Sequence, residues 1–303
     1  MINLHLAKNS GFCFGVKRAI SLAEDAAEKY GKATTIGPII HNPQMVQKLS
    51  EKGVNTIDDI DKIVDGPVII RSHGIPVDSL RKLKEKKIQI IDSTCPYVAK
   101  AHKFAEIVNK EKYEIIILGN SAHPEIIALK SYIDSNVTVW ENYNDFPQNK
   151  VTKVAVICQT TQNINNLKDL VNLLLPCTKE LRIFNTICNA TDVRQQSSLE
   201  LAKKTELMIV IGGKNSSNTL MLAKLCSEHT LTKHIEEAGE IERIWFDEKQ
   251  NIGLTAGAST PDWIIIDIYN KIKGIVGDTE SIVNTVEEIT NYVEEPHEYE
   301  CSK

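Results

Sequence analysis

The sequence lacks a long apolar run and an N-terminal targeting pattern. No segment is apolar over the roughly 18 residues that indicate a membrane-spanning helix, and the N-terminus does not show a basic region followed by an apolar core. We therefore predict neither a membrane span nor a secretory signal peptide. The expected compartment is the cytoplasm.

The chain also has no block of like charge. Its 35 lysines and arginines and 40 acidic residues give a formal net charge of −5, and no basic segment is long enough to indicate a nucleic-acid-binding arm. A nucleic-acid partner is therefore not expected. With 303 residues, 42% of them hydrophobic, the chain is long enough for two or three domains with a sizeable core.

The seven cysteines show neither a disulfide framework nor the local C-x-x-C pairs of a zinc site. They are odd in number and widely spread, and no export signal accompanies them, so disulfides are not predicted. We expect Cys158, Cys177 and Cys226 to act as small buried apolar side chains. Cys301 lies in a polar C-terminal segment and is expected to have no structural role.

The remaining three cysteines share one local pattern, in which each follows a strand-like run and precedes a helical pattern: Cys13, Cys95 and Cys188. A second strand then ends near a polar residue that lies 28 positions after the cysteine in all three cases: His41, His123 and Ser216. A third strand ends near a polar residue 60, 65 and 71 positions after the cysteine: His73, Thr160 and Ser259. Equal first offsets indicate a repeated unit.

Alternation of strands and helices predicts an α/β fold with parallel sheets covered on both faces. The predicted units are 1–86 with Cys13, 87–179 with Cys95 and 180–281 with Cys188, followed by an acidic tail, 282–303. The boundaries have an alternative position just after each cysteine. Open parallel sheets bind ligands at the carboxyl ends of their strands, so three units around a pseudo-threefold axis would place these residues around one central cavity.

The three repeated cysteines suggest a metal centre. Each precedes a helix, and a helix N-terminus favours the thiolate form that binds soft metals. Zinc usually takes locally paired cysteines and a fourth ligand, whereas the gaps here are 82 and 93 residues. Three thiolates suit a [4Fe-4S] cluster with one open iron that can act as a Lewis acid. Zinc and purely structural cysteines remain alternatives.

Eight motifs, in this order, resemble the LytB family of 4-hydroxy-3-methylbut-2-enyl diphosphate reductases: GFCFGV, IIHNP, RSHG, DSTCP, GNSAHPE, QTT, GGKNSSN and TAGASTPD. The resemblance runs from about Leu4 to Tyr269. It implies a trefoil of three α/β units around a central iron–sulfur cluster, in agreement with the repeated offsets. It also implies reductive removal of the substrate's allylic hydroxyl group, giving isopentenyl and dimethylallyl diphosphates in the last step of the methylerythritol phosphate pathway.

The resemblance also implies roles for individual residues. The cluster ligands would be Cys13, Cys95 and Cys188. The substrate and its diphosphate would be bound by His41, His73, His123, Thr160, Ser216, Ser217, Asn218 and Ser259. Proton delivery would fall to Glu125 and Thr160. Reduced ferredoxin or flavodoxin would be the electron donor.

Other interpretations remain open from the sequence. One is a non-catalytic protein that binds zinc or another metal beside a diphosphate pocket. An RNA-linked binding protein is disfavoured because the composition offers no basic surface. Arg71 and Lys214 either assist the diphosphate pocket electrostatically or face solvent.

Overall fold

The chain folds into three sheets in which all paired strands run parallel. The computed structural model describes residues 2–63, 65–135, 137–141, 151–277 and 279–281. The predicted tail, 282–303, and Cys301 lie outside the described residues. The predicted α/β class with three similar parallel units is confirmed.

The first sheet has the strand order β3-β2-β4-β5. Its strands are β2 (Ala33–Ile36), β3 (Val54–Ile57), β4 (Val68–Ile70) and β5 (Ile90–Asp92). Its helices are α1 (Phe14–Tyr30), α2 (Pro43–Glu51) and α3 (Val77–Glu85). Helices α1 and α2 pack on one face around Ile69, and α3 places Leu83 on the other face against Val68.

The second sheet has the order β7-β6-β8-β9. Its strands are β6 (Glu114–Leu118), β7 (Val137–Trp140), β8 (Val151–Cys158) and β9 (Thr178–Phe184). Its helices are α4 (Pro96–Lys110), α5 (Pro124–Lys130) and α6 (Ile164–Leu174). Helices α4 and α5 cover one face and α6 the other, so Val154 to Cys158 of the central strand are fully buried, as expected for a doubly covered parallel sheet.

The third sheet has the order β11-β10-β12-β1-β13. Its strands are β10 (Leu207–Ile211), β11 (Leu231–Ile235), β12 (Asn251–Ala256), β13 (Thr279–Ser281) and β1 (Ile2–Leu6). Its helices are α7 (Asn189–Ala202), α8 (Ser217–Ser227) and α9 (Asp262–Val276). Helix α9 covers one face, while α7 and α8 cover the other.

The N-terminal strand β1 belongs to the third sheet rather than to the first. It pairs with β12, so that Leu4 lies opposite Ile252 and is buried in the third core. Similarly, β5 and β9 complete the first and second sheets. The sheets therefore divide just after each cysteine, and a first unit that starts at residue 1 does not match the observed strand pairing. Burial of Leu4 against the apolar side chains of α9 explains this pairing.

The cysteines outside the repeat lie away from the strand ends. Cys158 and Cys226 are fully buried in apolar clusters, as predicted. Cys177 is only half-buried, because it ends a short 3-10 turn at the surface after α6. Across the described ranges, no helix is both long and apolar enough to cross a lipid bilayer.

Candidate active site

Polar side chains gather at the carboxyl ends of the two central strands of each sheet. His41 and His73 follow β2 and β4. His123 and Thr160 follow β6 and β8, and Ser216 and Ser259 follow β10 and β12. In each sheet the order of the strands reverses between this central pair, which is where α/β folds bind ligands.

All twelve residues that the sequence singles out for the site line a single cavity. Nine of them carry a hydroxyl, amide, imidazole or carboxyl group: His41, His73, His123, Glu125, Thr160, Ser216, Ser217, Asn218 and Ser259. The other three are Cys13, Cys95 and Cys188. The same relative strand order occurs in all three sheets, so the equivalent residues of each sheet follow equivalent strand ends.

Each repeated cysteine caps the helix that follows it, as the sequence predicts. Cys13, Cys95 and Cys188 are the N-cap residues of α1, α4 and α7, all with extended backbone angles. Their backbone N–H groups donate hydrogen bonds to the carbonyl oxygens of Ala258 (3.2 Å), Ser72 (2.9 Å) and Thr160 (2.9 Å), respectively. Each acceptor lies in, or directly before, the polar position that ends a central strand. These bonds hold the cysteines beside the polar groups of the cavity.

The thiols lie in a crowded, desolvated region. A Cβ atom on Gly15 would approach Cys95 Sγ to 2.8 Å and Cys13 Sγ to 3.9 Å, so these two sulfurs flank the same glycine. Burial, assisted by the neighbouring cysteines, raises the pKa of Cys95 to about 11 and that of Cys188 to about 12. The helix amides lower these pKa values but do not outweigh burial. Burial thus opposes the thiolate form of Cys95 and Cys188, and a bound cation would favour it.

The three cysteines do not form a compact group of the kind that holds a single ion. Three thiolates on one zinc ion lie about 3.8 Å apart, given Zn–S bonds of about 2.3 Å in tetrahedral geometry. Among the described residues, only the three histidines form a group of metal-ligating type whose ligand atoms all lie within 4.8 Å of one another. The cysteine spacing thus fits a polynuclear centre better than a mononuclear zinc site.

Three imidazole rings cluster on another wall of the cavity. The ring centroids of His41 and His73 lie 4.5 Å apart. The ring centroid of His123 lies 5.2 Å from that of His41 and 5.3 Å from that of His73. His41 Nε2 and His73 Nδ1 are buried without a hydrogen-bond partner. Burial, together with the positive charge of Arg71, lowers the pKa of His41 to about 4 and, with a further effect of His41, that of His123 to about 3. The pKa of His73 falls well below its usual value for the same reasons and through repulsion between the rings.

Glu125 is a buried carboxyl group held by one neighbour. The backbone N–H of Thr160 donates to Oε1 and the Thr160 hydroxyl donates to Oε2, each at 2.7 Å. Burial raises the pKa of Glu125 to about 7, although the hydrogen bonds from Thr160 lower it. The Glu125 N–H donates to His123 Nδ1 at 3.2 Å, so this imidazole nitrogen is unprotonated. The group can hold or release a proton near neutral pH.

The third unit contributes hydroxyl and amide groups. Asn218 Oδ1 accepts a hydrogen bond from the Ala258 N–H at 3.3 Å, whereas its Nδ2 is buried without a partner. The Ser259 hydroxyl donates to the backbone oxygen of His41 at 3.1 Å, joining the third unit to the first. Ser216 is the N-cap of α8, so free backbone N–H groups of this helix begin at the cavity.

The sequence did not single out Arg194, which is buried and also lines the cavity. A usable signal was present, since α7 buries a helically spaced stripe that is mainly polar: Thr191, Arg194, Gln195, Ser198 and Ala202.

Of the two cations considered from the sequence, Lys214 is exposed and pairs with Glu240. Arg71 is largely buried and acts electrostatically on the histidines.

The chain is similar to proteins of one family along most of its length. A family model described as "LytB protein" matches residues 4–273. A relative from Geotalea uraniireducens, named 4-hydroxy-3-methylbut-2-enyl diphosphate reductase, is 45% identical over 275 residues, which is 90% of this chain and 98% of the relative. A relative of the same name from Geobacter sulfurreducens is 44% identical over 272 residues, or 88% and 96%.

Two solved structures have the same architecture. A structure described as (E)-4-hydroxy-3-methyl-but-2-enyl diphosphate reductase, the terminal enzyme of the non-mevalonate pathway, aligns with a TM-score of 0.66 and 40% identity, covering 90% of this chain and 100% of the other. The E-1-hydroxy-2-methyl-but-2-enyl-4-diphosphate reductase from Plasmodium falciparum aligns with a TM-score of 0.84 and 28% identity, covering 92% and 91%.

Proposed function

Because this chain belongs to the LytB family, we propose that it is an oxidoreductase that reduces 4-hydroxy-3-methylbut-2-enyl diphosphate to isopentenyl and dimethylallyl diphosphates. This is the last step of the methylerythritol phosphate pathway. The observation that carries the proposal is a single cavity that joins three cysteines, three neutral histidines and a carboxyl group whose pKa is about 7. These are the groups that binding a diphosphate and removing a hydroxyl group as water require.

We propose that Cys13, Cys95 and Cys188 hold a [4Fe-4S] cluster with one open iron. Two of the three sulfurs flank Gly15, and the three cysteines do not form a compact group of the kind that holds a single ion, which supports this assignment over zinc. A cluster of this kind would supply electrons and a Lewis-acidic iron for the substrate hydroxyl group. The chain's own contribution is to fix the three sulfurs through the backbone hydrogen bonds of their N-caps.

The diphosphate is assigned to the wall formed by the histidines and the α8 N-terminus. His41 and His73 each carry a buried nitrogen without a partner, and Asn218 carries a free amide group. A diphosphate oxygen satisfies such groups, while Ser216, Ser217 and the backbone N–H groups of α8 supply further donors. Ser259 binds the His41 backbone and thereby orients the histidine wall.

Glu125 and Thr160 are assigned to proton delivery. Departure of the hydroxyl group as water consumes a proton, and Glu125 holds one near neutral pH. The bound diphosphate adds negative charge to the cavity, which further favours the protonated carboxyl group. The Thr160 hydroxyl contacts Glu125 Oε2 and lines the same cavity, so it is placed to pass the proton on.

Electrons are assigned to an acidic protein carrier, ferredoxin or flavodoxin, in the cytoplasm as predicted from the sequence. Phe14 and Tyr97 follow two of the cysteines closely and are 57% and 37% exposed. Lys17 and Lys100 are exposed near them on α1 and α4. An apolar patch with basic neighbours complements an acidic carrier.

The double substitution Lys17→Glu and Lys100→Glu should raise the KM for reduced ferredoxin and leave turnover with reduced methyl viologen unchanged.

Preparation of the protein without oxygen tests the proposed function. We expect the protein to contain iron and sulfide and to show the visible and electron-spin spectra of a cluster. We also expect it to turn over the diphosphate substrate with reduced methyl viologen. Stoichiometric zinc with no visible absorption and no turnover would instead support a non-catalytic metal-binding protein with a diphosphate pocket. The wide cysteine spacing argues against that second candidate.

A further inference from the structure

Arg194 is a buried cation that the proposed mechanism does not use. Its side chain is 1% exposed and lines the cavity together with the three repeated cysteines. It lies in the first half of α7, whose N-cap is Cys188. Side chains on a helix point back toward its N-terminus, so the guanidinium group reaches toward the cysteine end of α7.

The guanidinium group bridges the backbones beside two of the cysteines. Its NH1 donates to the backbone oxygen of Ala190 at 2.9 Å, two residues after Cys188. Its NH2 donates to the backbone oxygen of Gly11 at 3.0 Å, two residues before Cys13. One positive charge is thereby fixed between the segments that carry Cys13 and Cys188.

This charge has no acidic partner in the described part of the chain. Among the described residues Arg194 forms no ion pair within 4 Å, and its Nε is buried without a hydrogen bond. Asp262 Oδ1 would lie 3.0 Å from a Cβ atom on Gly11, and the charged side chain that acts on this carboxylate is Lys17. A buried ion without a counter-charge is strongly unfavourable, because the two carbonyl groups replace only part of its hydration.

Two anions could enter the cavity and compensate this charge: the diphosphate and a thiolate-ligated metal centre. The diphosphate donors lie on the histidine wall and at the start of α8. Arg194 is anchored instead to the Cys13 and Cys188 segments. Three thiolates bring negative charge to that side, and each electron added to the centre increases it.

We propose that Arg194 is the counter-charge and positioning residue of the metal–thiolate centre. The guanidinium group stabilises the more negative, reduced form of the centre and so raises its reduction potential. It also holds the segments of Cys13 and Cys188 in the spacing that the centre needs. This inference rests on the proposed function, because it concerns the centre proposed for the three cysteines.

Four variants separate the charge from the hydrogen bonds. Arg194→Gln and Arg194→Met remove the charge, and Arg194→Met also removes both backbone contacts. Arg194→Lys keeps the charge. Arg18→Gln is a matched control, because Arg18 donates to the carbonyl oxygens of Thr94 and Asp92 beside Cys95 but from the solvent side, where water screens its charge.

In spectroscopic redox titrations of iron-loaded protein, we expect both neutral Arg194 variants to shift the midpoint potential to more negative values. We expect Arg194→Lys and Arg18→Gln to stay close to the unsubstituted protein. The rise in melting temperature on loading the apoprotein should be smaller in the neutral variants. The affinity for inorganic pyrophosphate should be unchanged, because the Arg194 charge lies on the side of the cavity that carries Cys13 and Cys188.

Three results would overturn the inference. They are an unchanged potential in a folded neutral variant, an equal shift in Arg18→Gln, and a loss of pyrophosphate affinity in Arg194→Gln with no change of potential. If neither neutral variant folds, Arg194→Lys decides, and a shifted potential in it would contradict a role for charge. Absence of an iron–sulfur spectrum in the unsubstituted protein would refute the proposed function instead, so the two failures are distinguishable.

Discussion

One residue, Thr160, donates to both carboxylate oxygens of Glu125, through its backbone N–H and through its hydroxyl group, each at 2.7 Å. Both bonds compete with burial for the charge state of Glu125, and burial is the larger effect. The pKa of the Glu125 carboxyl group therefore lies near neutral pH, and the two hydrogen bonds hold the group in one orientation. This arrangement suits a proton donor better than a structural ion pair.

Glu125→Gln should remove the proton donor and leave the cavity intact. We expect full iron content and unchanged pyrophosphate binding, with turnover lowered by roughly 10²- to 10⁴-fold, the usual contribution of a general acid. Thr160→Val should lower turnover as well, because it removes the hydroxyl group that contacts Oε2. Glu141→Gln is the control, since this exposed carboxylate accepts a hydrogen bond from the Ser121 N–H and does not line the cavity. Normal turnover in Glu125→Gln would remove the assignment.

The contribution of Glu125 to the stability of the ligand-free protein should fall as pH rises from about 4.5 to above 7, whereas the buried histidines, whose pKa values are lowered, contribute in the opposite direction. The folded pKa of Glu125 is about 7, against 4.5 for a free carboxyl group. Below the unfolded pKa both states are protonated, whereas at higher pH only the unfolded chain loses the proton at first, so this contribution to stability is lost as pH passes the folded pKa. The full effect is on the order of 3 kcal/mol. Melting curves of Glu125→Gln should lack this component, and parallel pH profiles for the two proteins would contradict it.

Pyrophosphate binding should be accompanied by proton uptake. The pKa values of His41 and His123, about 4 and 3, leave both rings neutral in the free protein at pH 7. A bound polyanion favours the charged imidazole, so the affinity should weaken as pH rises from about 6 to 8. Calorimetry in two buffers that differ in ionisation enthalpy measures the uptake. His41→Gln should reduce it, while His102→Gln should not, because His102 is a buried histidine with a pKa of about 4 outside the cavity wall.

Single cysteine-to-serine substitutions should separate the cysteines into two groups. Cys13→Ser, Cys95→Ser and Cys188→Ser should each lose iron. Cys158→Ser and Cys226→Ser should retain it, because these thiols lie in apolar clusters away from the cavity, although burial of a hydroxyl group should lower their melting temperature. Iron analysis after anaerobic reconstitution measures this difference. Full iron in Cys95→Ser would contradict the ligand set.

Gly15→Ala should prevent metal loading without unfolding the protein. A Cβ atom there would lie 2.8 Å from Cys95 Sγ, so the sulfur must move. Gly274→Ala is the matched control, since this helical glycine has no heavy atom within 4 Å of the added methyl group. The control should gain roughly 0.5 to 1 kcal/mol of stability from helix propensity. Equal iron content in the two variants would show that the sulfur has room to move.

The sequence predicted which residues gather in one cavity better than it predicted the strand pairing. The polar residues at the ends of the central strands are visible as motifs at repeated offsets, because each is tied to a local strand–turn–helix transition. Four edge strands were not predicted, namely β3, β7, β11 and β13, and the first three are short and partly exposed and carry a weak apolar pattern. Arg194 was missed because its importance depends on Gly11, 183 residues away. The neutral state of the buried thiols likewise depends on burial, which local sequence does not show.

The placement of β1 sets an order of events during synthesis. This strand is synthesised long before its partner β12, which lies about 250 residues later in the chain. The first two sheets can each form from one continuous segment, whereas the third needs β1 together with β10 and β12. Leu4 therefore remains without its apolar surroundings until β12 and α9 have been synthesised, and only the pairing of β1 with β12 brings Cys13 to Ala258. Formation of the three-cysteine site is thereby coupled to synthesis of the third sheet.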